Sequence, residues 1–214
     1  MNSTRSLFRR GAAMAAVCAA FVALAACGST DHDGHRSTSA SASATASASA
    51  SASASQGEHN AADVAFAQGM IPHHRQAVEM ADLASGRAGS GQVKKLAADI
   101  KKAQDPEIRT LSAWLTSWGE SVPSQDAMDH STHGMDAMDG MMTGHDMAEL
   151  EKTSGTAFDT AFLQMMIKHH KGAVKMAKTE KTDGAYAPAT KMADQIITSQ
   201  SEEINTMNEL LNKS

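Results

Sequence analysis

Two short stretches, GMIPHHRQAVEMA from Gly69 to Ala81 and MMIKHHKGAVKMA from Met165 to Ala177, set a pair of adjacent histidines between methionines. Neutral imidazole suits copper, and thioether sulfur selects Cu(I) over Zn²⁺ and Mg²⁺. A third stretch, DAMDHSTHGMDAMDGMMTGHDM from Asp126 to Met147, gathers the same donors: Met128, Met135, Met138, Met141, Met142 and Met147 with His130, His133 and His145. Met135-x-x-Met138-x-x-Met141 and His130-x-x-His133 keep ligands within chelating reach, whether coiled or helical. Glycine and aspartate fill the gaps, with no bulky aliphatic or aromatic residue. The composition therefore predicts a ligand-bearing segment outside the core, whose deletion leaves the helical fold intact. Copper ions, as Cu(I) or Cu(II), are the expected cofactor, with silver a chemical alternative.

The histidine pairs need elements to aim them. Phe66, Met70, His73, Ala77, Met80 and Ala84 are spaced four, three, four, three and four, which is one seam of a helix. Phe162, Met166, His169, Ala173 and Met176 repeat that seam. His73 and His169 then point inward, and His74 and His170 fall about 100° round, at the stripe's edge. Two accounts of these rings stay open. They are core histidines hydrogen-bonded to Gln104, Gln200 or backbone, with methionine as packing. Or they are His/Met metal sites, with Met70 and Met80 serving His73 and His74, and Met166 and Met176 serving His169 and His170. In the second account affinity falls as pH drops through the ordinary histidine range, near 6.5.

The two stretches belong to an internal repeat. An offset of 96 lays Asp63–Ala84 over Asp159–Glu180, and it runs on to place Gln104, Glu107, Ile108 and Leu111 over Gln200, Glu203, Ile204 and Met207. Each copy carries two helical patterns. Turn signals separate them, Ser85-Gly86 through Gly91 and Thr182-Asp183-Gly184 through Pro188. No strand pattern occurs. Two amphipathic hairpins predict an all-α four-helix bundle, with residues 58–118 as the first hairpin, 119–155 as a crossover and 156–214 as the second. A connection that long can run the length of the bundle, which fits ferritin-like rather than simple up-down order. Pro106 could start a new helix or lie within one; the repeat has no proline there, which favours one long helix.

What precedes the bundle reads as processing and tether. Arg5, Arg9 and Arg10 precede a small apolar run, Gly11 to Ala26, too short for a comfortable membrane span. Leu24-Ala25-Ala26-Cys27 resembles a bacterial lipobox, which implies cleavage after residue 26 and lipidation of Cys27. An acyl anchor on Cys27 would hold the chain on the outer face of the cytoplasmic membrane without spanning it. Residues 27–57 then form the acylated end and a tether, since Ser37 to Ser55 is almost pure Ser and Ala and has no apolar face. A flexible chain of that length spans roughly 25 Å. His32 and His35 precede it as ordinary linker histidines.

Cys18 lies in the leader and Cys27 would carry lipid, so the mature domain has no disulfide, zinc-thiolate site or cysteine nucleophile. The formal net charge is −5, and loss of three leader arginines moves it to −8. Such a surface does not suit nucleic acid.

The stretch FAQGMIPHHRQAVEMA, with Gln104, Glu107, Ile108 and Trp114-Leu115 downstream, resembles the bacterial secreted family named domain of unknown function 305. The resemblance covers Asp63 to Asn212. It implies a ferritin-like helical bundle on an exported protein, and some relatives are linked to periplasmic copper binding and resistance. The family's histidine pair maps onto His73 and His74, and again onto His169 and His170. The second copy departs from the motif, with Lys168 in place of proline and Leu210-Leu211 in place of Trp-Leu.

Three function classes follow. The first is copper binding and sequestration at the outer face of the membrane. The second is an envelope interaction module with structural histidines, its protein partner unspecified. The third is a di-metal oxidase, which needs inward carboxylates and Glu-x-x-His motifs. The bundle helices carry no such motif, and no Ser-His-Asp set or phosphate loop is apparent, so a non-enzyme is expected.

Overall fold

The computed structural model describes residues 57–124 and 139–213. These form helices α1 (Ala61–Arg87), α2 (Gly91–Trp118), α3 (Gly144–Lys152), α4 (Gly155–Asp183) and α5 (Ala187–Leu211). Among the described residues no β-strand forms, and one isolated bridge joins Ala88 to Gly155. No helix among them is long and apolar enough to cross a membrane.

Local chemistry sets the helix ends. Asn60 caps α1 by accepting from the Ala62 and Asp63 amides, while Asp63 accepts from the Asn60 amide, a reciprocal capping box. Ser90 caps α2, and Gly119 closes it at φ 76°, a left-handed conformation that favours glycine. Thr143 and Asp146 form a second capping box at the start of α3. Pro72 and Pro106 both lie inside continuous helices, so Pro106 starts no new one. The inter-helix turns are shorter than the glycine signals suggest: α1 persists to Arg87 and α4 to Asp183.

The chain path follows from contacts between helix ends. The end of α1 meets the start of α4 at Ala88 and Gly155. The start of α1 meets the turn after α4, where Asp63 accepts from the Ala185 and Tyr186 amides. Helices α1 and α4 are therefore antiparallel neighbours, each paired with its own hairpin partner, α2 or α5. Helix α2 then runs the same way as α4, and the connection between them must return along the bundle. This is the up-down-down-up order of a ferritin-like bundle.

The seams sit where their spacing puts them. Phe66, Met70, His73, Ala77, Met80 and Ala84 are all buried, as are Phe162, Met166, His169 and Ala173; Met176 is half-buried. Each fully buried large side chain contributes about 1.5–3 kcal/mol through area removed from water. Two apolar clusters share the interior. One holds Met80, Leu96, Ile100, Phe158, Phe162 and Met166. The other holds Phe66, Met70, Leu111, Leu115 and Ile196. At the end where the described chain begins, His59 stacks on Trp118 with centroids 4.4 Å apart, and Tyr186 stands edge-on to Trp114 and Trp118.

Candidate metal centre

His73 lies midway along α1 and His169 midway along α4. Antiparallel packing brings the two rings face to face across the hairpin interface, with centroids 3.7 Å apart and planes tilted by 42°. Both are fully buried. His73 Nε2 lies 3.3 Å from the Asp139 carbonyl oxygen, so Nε2–H donates there and Nδ1 keeps its lone pair. That Nδ1 has no hydrogen-bond partner among the described residues. Neither nitrogen of His169 has one; the His73 backbone lies beside it but outside hydrogen-bonding geometry.

Burial, with the neighbouring His74 and His170 adding to it, pushes the His73 imidazolium down to about 3. Burial pushes His169 well below its ordinary value too, helped by His73, His170 and His74. Both rings are thus neutral across the ordinary pH range, which is the protonation state a metal requires.

The flanking histidines are not at the stripe's edge. His74 and His170 are fully buried, because each faces its own hairpin partner. His74 Nε2 lies 2.8 Å from Glu107 Oε2, and His170 Nε2 lies 2.6 Å from Glu203 Oε2. Gln104 and Gln200, offered by the sequence beside backbone as partners of the seam histidines His73 and His169, are buried one turn away, and Gln104 has no hydrogen bond among the described residues. Carboxylates thus hold the two flanking rings, through hydrogen bonds to a charged group, which are the stronger kind.

The connection before α3 also departs from expectation. Met141, Met142 and Met147 are buried, and Met142 and Met147 join the cluster of Met80 and Met166. The reason is a strap of backbone bonds. Gln76 donates to the Met142 carbonyl and accepts from the Met142 amide, at 2.8 and 2.7 Å. Lys175 pairs with Asp139. Gly172, which replaces Gln76 in the repeat, lets the Asp139 carbonyl approach so closely that any Cβ would collide with it. Asp139 to Met142 therefore closes over the His73–His169 pair. This part of the methionine-rich stretch is structural, contrary to its composition.

Not every proposed ligand joins this centre. Met70 and Met166 lie one helical turn before His73 and His169, inside the two apolar clusters. Met80 is buried in the first cluster, and Met176 packs half-buried on the second. His145 is exposed at the start of α3. Cys27, Met128, His130, His133, Met135 and Met138 lie outside the described residues. Sequence reasoning missed Met207, which is buried beside Met80 and Met166. It also missed the roles of Gln76 and Asp139. Among the described residues no three His, Cys, Asp or Glu side chains converge as a metal would need. A metal here would take the orphaned imidazole nitrogens together with thioether sulfur.

The profile of the family described as domain of unknown function DUF305 matches residues 63–211. The chain belongs to this family. A family member from Streptomyces coelicolor, described as a secreted protein, is 33% identical, with a TM-score of 0.64 over 71% of this chain and 93% of that one. A DUF305 fragment from Deinococcus radiodurans is 30% identical, with a TM-score of 0.64 over 74% of this chain and all of the fragment. CopM in its Cu(II)-bound form is 36% identical, with a TM-score of 0.60 over 71% of this chain and 96% of CopM. CopM has also been solved in Cu(I)-bound, silver-bound and apo forms. Comparison with curated proteins gave no match.

Proposed function

We propose that this DUF305 domain binds copper, as Cu(I) or Cu(II), and sequesters it outside the cell. The observation that carries this reading is the His73–His169 pair. Two buried imidazoles from two hairpins face each other, neutral, with unpartnered ring nitrogens. Buried polar atoms left without a partner are costly, and a soft metal ion would satisfy them. The copper-bound and silver-bound forms of CopM, at 31–36% identity, support the choice of metal. Thioethers from Met70 and Met166 are the nearest soft donors along each helix, and Met80, Met142, Met147 and Met207 form a further reserve of buried sulfur.

The reading extends to place. An exported chain with a lipid on Cys27 and a Ser/Ala tether would hold the domain at the outer face of the cytoplasmic membrane. Replacing Cys27 by Ser should release the protein into the medium or block its processing. Normal processing with full membrane retention would remove the anchor from the account.

The domain is read as a binder, not an enzyme. Glu107 and Glu203, the carboxylates of the centre, each hold an imidazole, whereas a di-metal oxidase needs carboxylates free to bridge its ions.

The deciding experiment is an anaerobic Cu(I) titration of the delipidated mature chain against a chromophoric chelator. His73→Ala with His169→Ala should weaken the tightest site by more than about 100-fold, since losing only a group behind a ligand already costs about 10–100-fold. Unchanged affinity with lowered thermal stability would make the pair core residues and leave the interaction module as the better reading.

A further inference from the structure

Each hairpin contains one more buried imidazole whose orientation is set by a carboxylate. His74 and Glu107 are 33 residues apart, and so are His170 and Glu203. In both, Nε2 meets a carboxylate oxygen, the ring is fully buried, and Nδ1 has no hydrogen-bond partner among the described residues. Both glutamates are about one-fifth exposed, at 22% and 20%, so each reaches in from the bundle rim.

The pairing selects a tautomer. A neutral imidazole has one N–H. With the proton on Nε2, the ring donates to the carboxylate and Nδ1 holds a bare lone pair. With the proton on Nδ1, two lone pairs would face each other at 2.6–2.8 Å, and a buried N–H would have no acceptor. The first arrangement wins on both counts. We propose that Glu107 and Glu203 are positioning residues, which fix Nδ1 of His74 and of His170 as the nitrogens offered to the metal.

This rests on the copper reading and sharpens it. His170 lies 6.4 Å from His169, centroid to centroid, and His74 follows His73 in the chain. Each ring of the second pair thus adjoins one ring of the first along its own helix. Carboxylates that hold the far nitrogen of a ligating histidine orient the ring and raise its basicity. The same hydrogen bond in both hairpins, between residues that differ in their surroundings at Gln76 and Gly172, shows that the pair survives where other positions have diverged.

Two measurements on the mature chain test it. Long-range nitrogen–proton correlation spectra of the metal-free protein should show His74 and His170 protonated at Nε2 and bare at Nδ1. Glu107→Ala with Glu203→Ala should give mixed tautomers and weaken Cu(I) binding by about 10–100-fold. Glu107→Gln with Glu203→Gln should restore the tautomer, because the amide oxygen accepts the same N–H, and should recover most of the lost affinity. The wild-type spectrum needs no variant to fold, and protonation at Nδ1 there would overturn the assignment. Alanine variants that bind Cu(I) as the wild type does would overturn the positioning role alone. A wild-type chain that binds no Cu(I) would overturn the copper reading itself.

Discussion

Asp63 and Asp159, 96 residues apart in the repeat, each clasp the turn of the opposite hairpin. Asp63 accepts from the amides of Ala185 and Tyr186, and Asp159 accepts from those of Gly89 and Ser90 at 3.0 and 2.8 Å. The two clasps occupy equivalent positions in the repeat, as His73 and His169 do. They fix the two hairpins end to end, and the midpoint register that stacks the two rings follows from them.

Breaking a clasp should therefore loosen the hairpin interface. Asp159→Ala leaves two part-buried amides without an acceptor, at a cost of about 1–3 kcal/mol. Denaturant melts should show the loss, and amide exchange should rise at Gly89 and Ser90 before it rises in the middle of α2.

Glu180 makes stability fall on the alkaline side. It occupies the position of Ala84 in the first copy and is fully buried against Asp63. Among the described residues no donor reaches either of its oxygens, so as the acid it can itself donate to the neighbouring Asp63. Burial first, then Asp63 and Asp183, push its carboxyl up to about 8. Asp63 moves the opposite way: burial would raise it, but hydrogen bonds from Asn60, Glu180, Tyr186 and Ala185 outweigh that and lower it. Between the ordinary 4.5 and about 8 the folded chain holds a proton that the unfolded chain has lost. That contribution is complete below 4.5 and is lost as pH rises through 8. Glu180→Gln should flatten this dependence, so that its melting temperature exceeds the wild type's at pH 9. A wild-type stability that rises from pH 6 to 9 would contradict the paired-acid arrangement.

The central imidazoles should keep their metal to lower pH than free histidine would. The sequence suggests a loss of binding near 6.5, but burial holds His73 down at about 3 and His169 lower than normal. Protonation competes with metal binding only as pH approaches and falls below the ligand's own pKa. Cu(I) competition measured from pH 7 to pH 5 should accordingly show little change in the tightest site. Loss of binding centred on 6.5 would point to exposed histidines such as His145 as ligands.

The strap over the rings should be separable from the bundle. Gln76→Ala removes both bonds to Met142, and Gly172→Ala collides with the Asp139 carbonyl. Each should cost about 1–3 kcal/mol and speed amide exchange at Met142, with helical circular dichroism intact. Deleting Asp126–Met147 should do more than its composition implies. It strips Met142 and Met147 from the core, so the melting temperature should fall.

The seam was legible because its spacing is periodic and occurs twice. Phe66, Met70, His73, Ala77, Met80 and Ala84 are buried as their register requires. One of the two open accounts set Gln104, Gln200 or backbone beside the seam histidines; His73 does meet a backbone carbonyl, that of Asp139, while Glu107 and Glu203 hold the neighbouring His74 and His170. Helical spacing fixes a face, but the reach of a side chain selects between neighbours on it. The signal was present all the same, since the 33-residue interval between histidine and glutamate is identical in both copies. The strap left no periodic trace. Its burial depends on Gly172 opposite Asp139 and on Gln76 opposite Met142, contacts far apart in sequence. The single hint was glycine in one repeat where the other has glutamine.

Because His73 and His169 belong to different hairpins, whatever grips both rings becomes a crosslink. The described residues contain no cysteine to supply one. A bound ion would tie residues 96 positions apart, as a disulfide does, yet release them when the ion leaves. Ligand affinity and the cohesion of the two halves are then one quantity seen from two sides: whatever loosens the seam weakens the grip, and whatever fills the grip tightens the seam.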